Sequence, residues 1–230
     1  MNRTILPLLV VLCAGCGNRI GGTVDDLSVG EFADGVYFEL RYTEDGIEQH
    51  DLAVWLMPME DSCAVFPELL ADLAAARRAI DEQSLEAQAY CDMWEAVWSE
   101  HLGLDPFWMA RYSLRSKPRP ADAGVEGEYP WLSRDRLNDA PVFDADVARY
   151  PAPTFAACAE EFEGSGQYTP TLHRATGGSL EVTRYAEDEE LVGRVGFELE
   201  AAGDDGVSGT FETAFCPGAA DWPLEFGLGL

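Results

Sequence analysis

Val36-Tyr37-Phe38-Glu39-Leu40-Arg41-Tyr42-Thr43 alternates without a break. Val36, Phe38, Leu40 and Tyr42 fall on one side, and Tyr37, Glu39, Arg41 and Thr43 on the other, which is the period of a half-buried strand. Glu44-Asp45-Gly46 supplies turn chemistry, with a glycine able to take positive φ. The chain then climbs from Ile47 to Met57 and closes on Leu52-Ala53-Val54-Trp55-Leu56-Met57. A continuous apolar run of that length reads as a strand buried on both faces. Two strands about an Asp-Gly turn make a hairpin.

Downstream, Asp61 or Ser62 can cap a helix, and Phe66, Leu69, Leu70, Leu73 and Ile80 follow at helical spacing. A second helical face carries Ala87, Tyr90, Cys91, Trp94, Val97, Trp98 and His101, closed by Gly103 and Pro106. Phe107 to Arg115 alternates again as a strand. From Ser116 to Pro153 six prolines interrupt every period, so a long irregular segment is expected, with one short helical piece near Ser133 to Asn138. Ser179–Ala186, Leu191–Ala201 and Val207–Cys216 read as a meander joined by Glu187-Asp188-Glu189 and Gly203-Asp204-Asp205-Gly206. Gly193 and Gly196 mark a bulge or a close neighbour. The expected fold class is therefore α+β: an antiparallel β-sheet, N-terminal hairpin plus C-terminal meander, packed with one or two helices. One domain over 32–230 is expected, the alternative being a division near 117–153.

The 230 residues include 15 basic and 42 acidic side chains, a formal net charge of −27. Lys117 is the lone lysine. Nucleic acid and anionic lipid both need clustered positive charge, so nucleic-acid binding is set aside. The acidic excess suits solubility, cation attraction or a basic partner. Salt-adapted proteins carry such surfaces too, but an ordinary acidic secreted protein is the simpler reading. At 47% hydrophobic and 11% aromatic, the chain has ample material for a core.

The N-terminus gives an address. Arg3 precedes the apolar run Ile5-Leu6-Pro7-Leu8-Leu9-Val10-Val11-Leu12, and small residues follow: a secretory signal, too short to span a bilayer as a permanent helix. Leu12-Cys13-Ala14-Gly15-Cys16 resembles the lipobox of bacterial lipoproteins. The resemblance implies that residues 1–15 are a signal peptide and that Cys16 becomes the lipidated N-terminus, bearing palmitate-type acyl chains. It also implies a cell-envelope location, lipid-anchored in the outer membrane. Residues 16–31, polar and rich in glycine, read as the lipidated end and a short tether.

Four further cysteines, Cys63, Cys91, Cys158 and Cys216, read as two disulfides in an exported protein. No two stand at zinc-ligand spacing. Cys63–Cys91 and Cys158–Cys216 are the favoured pairs, since each stays within one half of the chain.

Catalytic signals are thin. His50, His101 and His173 are scattered, and each reads as a structural residue. Gly206-Val207-Ser208-Gly209-Thr210 lacks the glycine two residues after the serine that a nucleophile elbow needs, and Ser165 fails similarly. Asp144-Ala145-Asp146 and Asp204-Asp205 resemble loose calcium ligands without a dedicated loop. Trp131, in Tyr129-Pro130-Trp131-Leu132, is the candidate contact for an envelope protein or glycan, set against a gap-filling role over the body. No catalytic residue, metal or cofactor is expected. The expected role is a lipid-anchored binding or structural module. The alternatives are an envelope hydrolase using dispersed carboxylates and a weak divalent-cation binder.

Overall fold

A computed structural model of the chain describes residues 18–29, 32–44, 47–83, 87–116, 125–131, 142–154, 156, 158, 170–200 and 205–221. The strands are β1 (Arg19–Val24), β2 (Leu27–Val29), β3 (Asp34–Glu44), β4 (Ile47–Met57), β5 (Phe107–Ser116), β6 (Gly127–Pro130), β7 (Val142–Tyr150), β8 (Thr171–Ala186), β9 (Glu190–Leu199) and β10 (Gly206–Phe215). Two helices, α1 (Ser62–Gln83) and α2 (Ala87–His101), lie between β4 and β5.

The expected α+β sheet is overturned. Strands make up 56% of the described residues, and seven of them close into a barrel in the order β10-β3-β4-β5-β7-β8-β9 and back to β10. Six neighbour pairs are antiparallel; closure comes from one short parallel seam, Ala214 with Val36 and Phe215 with Tyr37. β1 and β2 extend from the free part of the β10 edge, and β6 adds to β8. A closed barrel leaves few unpaired strand edges to cover. The segment read as a tether thus carries two strands, because Arg19 to Thr23 pair with Thr210 back to Gly206.

Closure gives the strands two cores. Tyr37, Leu52, Val54, Leu56, Tyr112, Leu114, Phe143, Val147, Leu180, Val195, Phe197 and Phe211 fill the barrel. Val36, Phe38, Ala53, Trp55, Met57, Phe107, Met109 and Tyr150 face outward and meet Phe66, Leu69, Trp94 and Trp98 of the helices. The apolar run Leu52–Met57 is therefore buried on both faces, as its composition requires. In β3 the side carrying Tyr37 and Glu39 turns into the barrel, while Val36 and Phe38 meet the helical layer.

Helix α1 begins where the Asp34 carboxylate accepts the Ser62 N–H at 2.7 Å. A side chain on β3 thus supplies the cap that α1 needs. The stretch expected to be irregular contains β6 and β7. In Phe143-Asp144-Ala145-Asp146-Val147 the apolar residues point inward and the aspartates outward. The proposed helical piece at 133–138 falls outside the described residues.

The cysteines pair as Cys63–Cys216 and Cys91–Cys158, each with Cα atoms 5.5 Å apart, and not as the half-by-half scheme expects. Helix geometry explains the correction. The His101 ring lies 3.0 Å from Asp72, fixing α1 and α2 as an antiparallel pair. Cys91, ten residues before His101, then lies beside the far end of α1, roughly 28 Å along the axis from Cys63 at 1.5 Å per residue. Cys63 instead sits over the barrel seam, where Cys216 directly follows β10 and donates its N–H to Tyr37 O at 2.9 Å. Cys91 faces the segment that leaves β7.

Candidate functional site

The Trp131 site begins with a gap. β7 and β8 pair only from Asp146–Arg149 to Thr171–Arg174 and then separate. Further along, β8 is instead flanked by β6, with Tyr129 opposite Leu180. Trp131 bridges to Phe143 of β7 and donates its N–H to Gly178 O at 2.9 Å. A register shift between Ala175 and Gly177 marks the switch of partners. Gly178 has φ of 125°, and a Cβ there would lie 2.1 Å from Gly196 O, so this position requires glycine. Trp131 packs on the barrel cluster, half-buried, and its indole N–H finds no acceptor among the described residues.

On the outer face of the clad wall lie buried charged groups that sequence reading missed. Arg111 is 8% exposed and grips Asp146 through two nitrogens, at 2.7 and 2.9 Å. The register places Arg111 between Trp55 and Asp146. Burial alone would lower the Arg111 pKa, but the charge and hydrogen bonds of Asp146 outweigh it, and the net shift is upward. Burial raises the Tyr150 phenol. Asp51, 3% exposed, stands two residues along β4 from Ala53, on the same outward side. Asp144 accepts the N–H of Ala145. The aspartates of 144–146 thus lie on a strand wall, one of them occupied by an arginine.

Two further polar groups occupy the barrel's ends. Tyr185 donates its hydroxyl to Glu39 at 2.7 Å, and Tyr37 donates to Ala186 O at 2.9 Å. Tyr37 is pushed up to about 12 by burial and then by the Glu39 charge, offset in part by the Glu189 backbone donor. Tyr185 rises for the same first cause, followed by its hydrogen bond to Glu39. Near the opposite end, His173 is 8% exposed, its Nδ1 3.9 Å from the Asp25 carboxylate and its ring 6.2 Å from that of Trp108. Arg149 stands 5.7 Å from the centre of Trp108.

The remaining sequence candidates disperse. His50 pairs through the backbone with Arg41, and Ser208 lies exposed in β10. Asp205 accepts the N–H of Asp25 at 3.0 Å. Cys16, Ser165 and Asp204 fall outside the described residues. Among the described residues, no group of three or more His, Cys, Asp and Glu is arranged to hold a metal ion. The Phe143–Val147 alternation was the one sequence signal able to place Asp146; nothing local pointed to its partner Arg111.

No protein-family model, no curated protein and no solved structure matches this chain. The two disulfides and the closed barrel are accordingly described from this chain alone.

Proposed function

We propose that this is a lipid-anchored protein of the bacterial cell envelope, held in the outer membrane by Cys16, whose barrel serves as a binding or structural module. The observation that carries the reading is Ala14-Gly15-Cys16 behind an apolar run, followed by a domain with two disulfides. Disulfides persist where export has placed a protein in oxidising surroundings. The binding role draws support from how the charged groups are used. Arg111 is held by Asp146, and Glu39 by Tyr185, which is how buried charge is satisfied in a scaffold. Trp131 at the β7–β8 gap is the proposed contact for an envelope protein or glycan.

Cys16→Ser is expected to move the protein from the membrane fraction to the soluble extracytoplasmic fraction. The intact mass of the wild type should exceed that of the processed chain by the lipid. Unchanged fractionation and an unmodified mass would refute the anchor. For the contact role, Trp131→Ala should abolish protection of the seam peptide 125–131 by envelope material in a footprinting experiment. Equal protection in both proteins would discard Trp131.

A further inference from the structure

The anchor and the first strand are too close for a swinging domain. Asn18 is already docked, its side-chain oxygen accepting the Glu212 N–H of β10 at 3.0 Å, and β1 starts at the next residue. Cys16 lies two residues before Asn18, so their Cα atoms can stand no more than about 7.6 Å apart. Any lipid on Cys16 therefore leaves the molecule near the start of β1, at the edge of the β1–β10 wall where β10 meets β3.

That wall is also the side without the helical layer, which covers β3, β4, β5 and β7. Across it Arg19, Thr210, Arg194 and Glu181 stand in register on adjacent strands; Arg19, Thr210 and Arg194 are exposed, and Arg194 Nε lies 3.1 Å from the Glu181 carboxylate. The row places Arg19 next to the anchor, with Arg194 two strands further on. Trp131 lies at the β7–β8 gap, with β8 between it and β9.

Resting on the lipid anchor proposed above, we infer that the β1–β10–β9 wall is a membrane-facing surface. It lies against phospholipid headgroups with Arg19 at the phosphate level and the Arg194–Glu181 pair beside it. The short reach from Cys16 sets the distance, and pairing of β1 with β10 sets the orientation.

The chain's own arginines report on this. Lipidated protein in phosphatidylcholine vesicles and soluble Cys16→Ser protein are treated with phenylglyoxal, and modification is followed by peptide mass spectrometry. Arg19 and Arg194 should react several-fold more slowly on vesicles, while exposed Arg78 on α1 reacts at the same rate in both. A flexible Gly/Ser insert of about twelve residues between Gly17 and Asn18, spanning roughly 20 Å, should restore both rates. Vesicle flotation separates the two ideas. Protein that fails to float overturns the anchor and this surface with it. Protein that floats while Arg19 and Arg194 react as fast as in Cys16→Ser, or while all three arginines are protected equally, leaves the anchor standing and overturns the orientation.

Discussion

One wall of the barrel is clad and the other is bare. On the clad side, β4 keeps Asp51 to Met57 buried without interruption, because the barrel core lies on one face and the helices on the other. On the bare side β9 runs Glu190-Leu191-Val192-Gly193-Arg194-Val195, its buried residues alternating with more exposed ones. The same backbone pairing thus supports opposite sequence textures, and the texture reports how many faces are covered. The clad wall also holds both disulfides and the buried ion pair. Stability is concentrated there, while the bare wall is left to chain reach and surface charge.

The sharpest way to break this contrast is to unbolt the helices. Replacing Cys63 and Cys216 with serine opens the longer disulfide, whose sequence separation is 153 residues. A loss of about 5 kcal/mol is expected on the loop-entropy model, read from the denaturant midpoint. A loss under about 1 kcal/mol would mean that the seam holds without its bolt. Trp55→Ala, at 1% exposure between barrel and helices, should cost about 3–5 kcal/mol by cavity formation.

Asp146→Ala leaves Arg111 buried without its bidentate partner and should cost about 2–3 kcal/mol, less than a deeply buried pair because Asp146 is 25% exposed. The double change Arg111→Met, Asp146→Leu should recover much of that loss. If the costs simply add, the two groups are not energetically coupled.

Tyr37 sharpens the comparison inside the barrel. Its folded pKa of about 12 lies above the unfolded value near 10. Its contribution is therefore complete below pH 10 and is lost as pH rises through 12. The stability difference between wild type and Tyr37→Phe should shrink by on the order of 1–2 kcal/mol across that window. A difference independent of pH would show that the phenol does not titrate with folding. The smallest effect belongs to the bare wall: Thr210→Ala should change the midpoint by less than about 0.5 kcal/mol.

Much of the element list was legible. The β3–β4 hairpin, both helices, β5 and the final meander follow from period and punctuation, because each is specified within its own residues. β7 was hidden between Pro141 and Pro151, where prolines suggested disorder of period although Phe143 to Val147 alternates. β8 reaches back to Thr171 through Gly177-Gly178, which pair with Glu198 and Phe197, past a bulge at Thr176. Of the candidate groups, Trp131 and the four cysteines were visible as residue types. Arg111, Asp51 and Glu39 were not, since an ion pair or a buried carboxylate depends on the partner strand, and Asp146 is distant in sequence from Arg111.

By itself the sequence determined the β3–β4 hairpin, both helices, β5 and the final meander, a cysteine inventory fit for two disulfides and an N-terminal motif resembling a lipobox. Those properties are local, written in spacing and composition. Only the tertiary structure decided that the sheet closes, that Cys63 meets Cys216, and that Glu39 turns inward. Closure rests on two residue pairs between β10 and β3, and nothing in either strand alone distinguishes a sheet edge from a barrel seam.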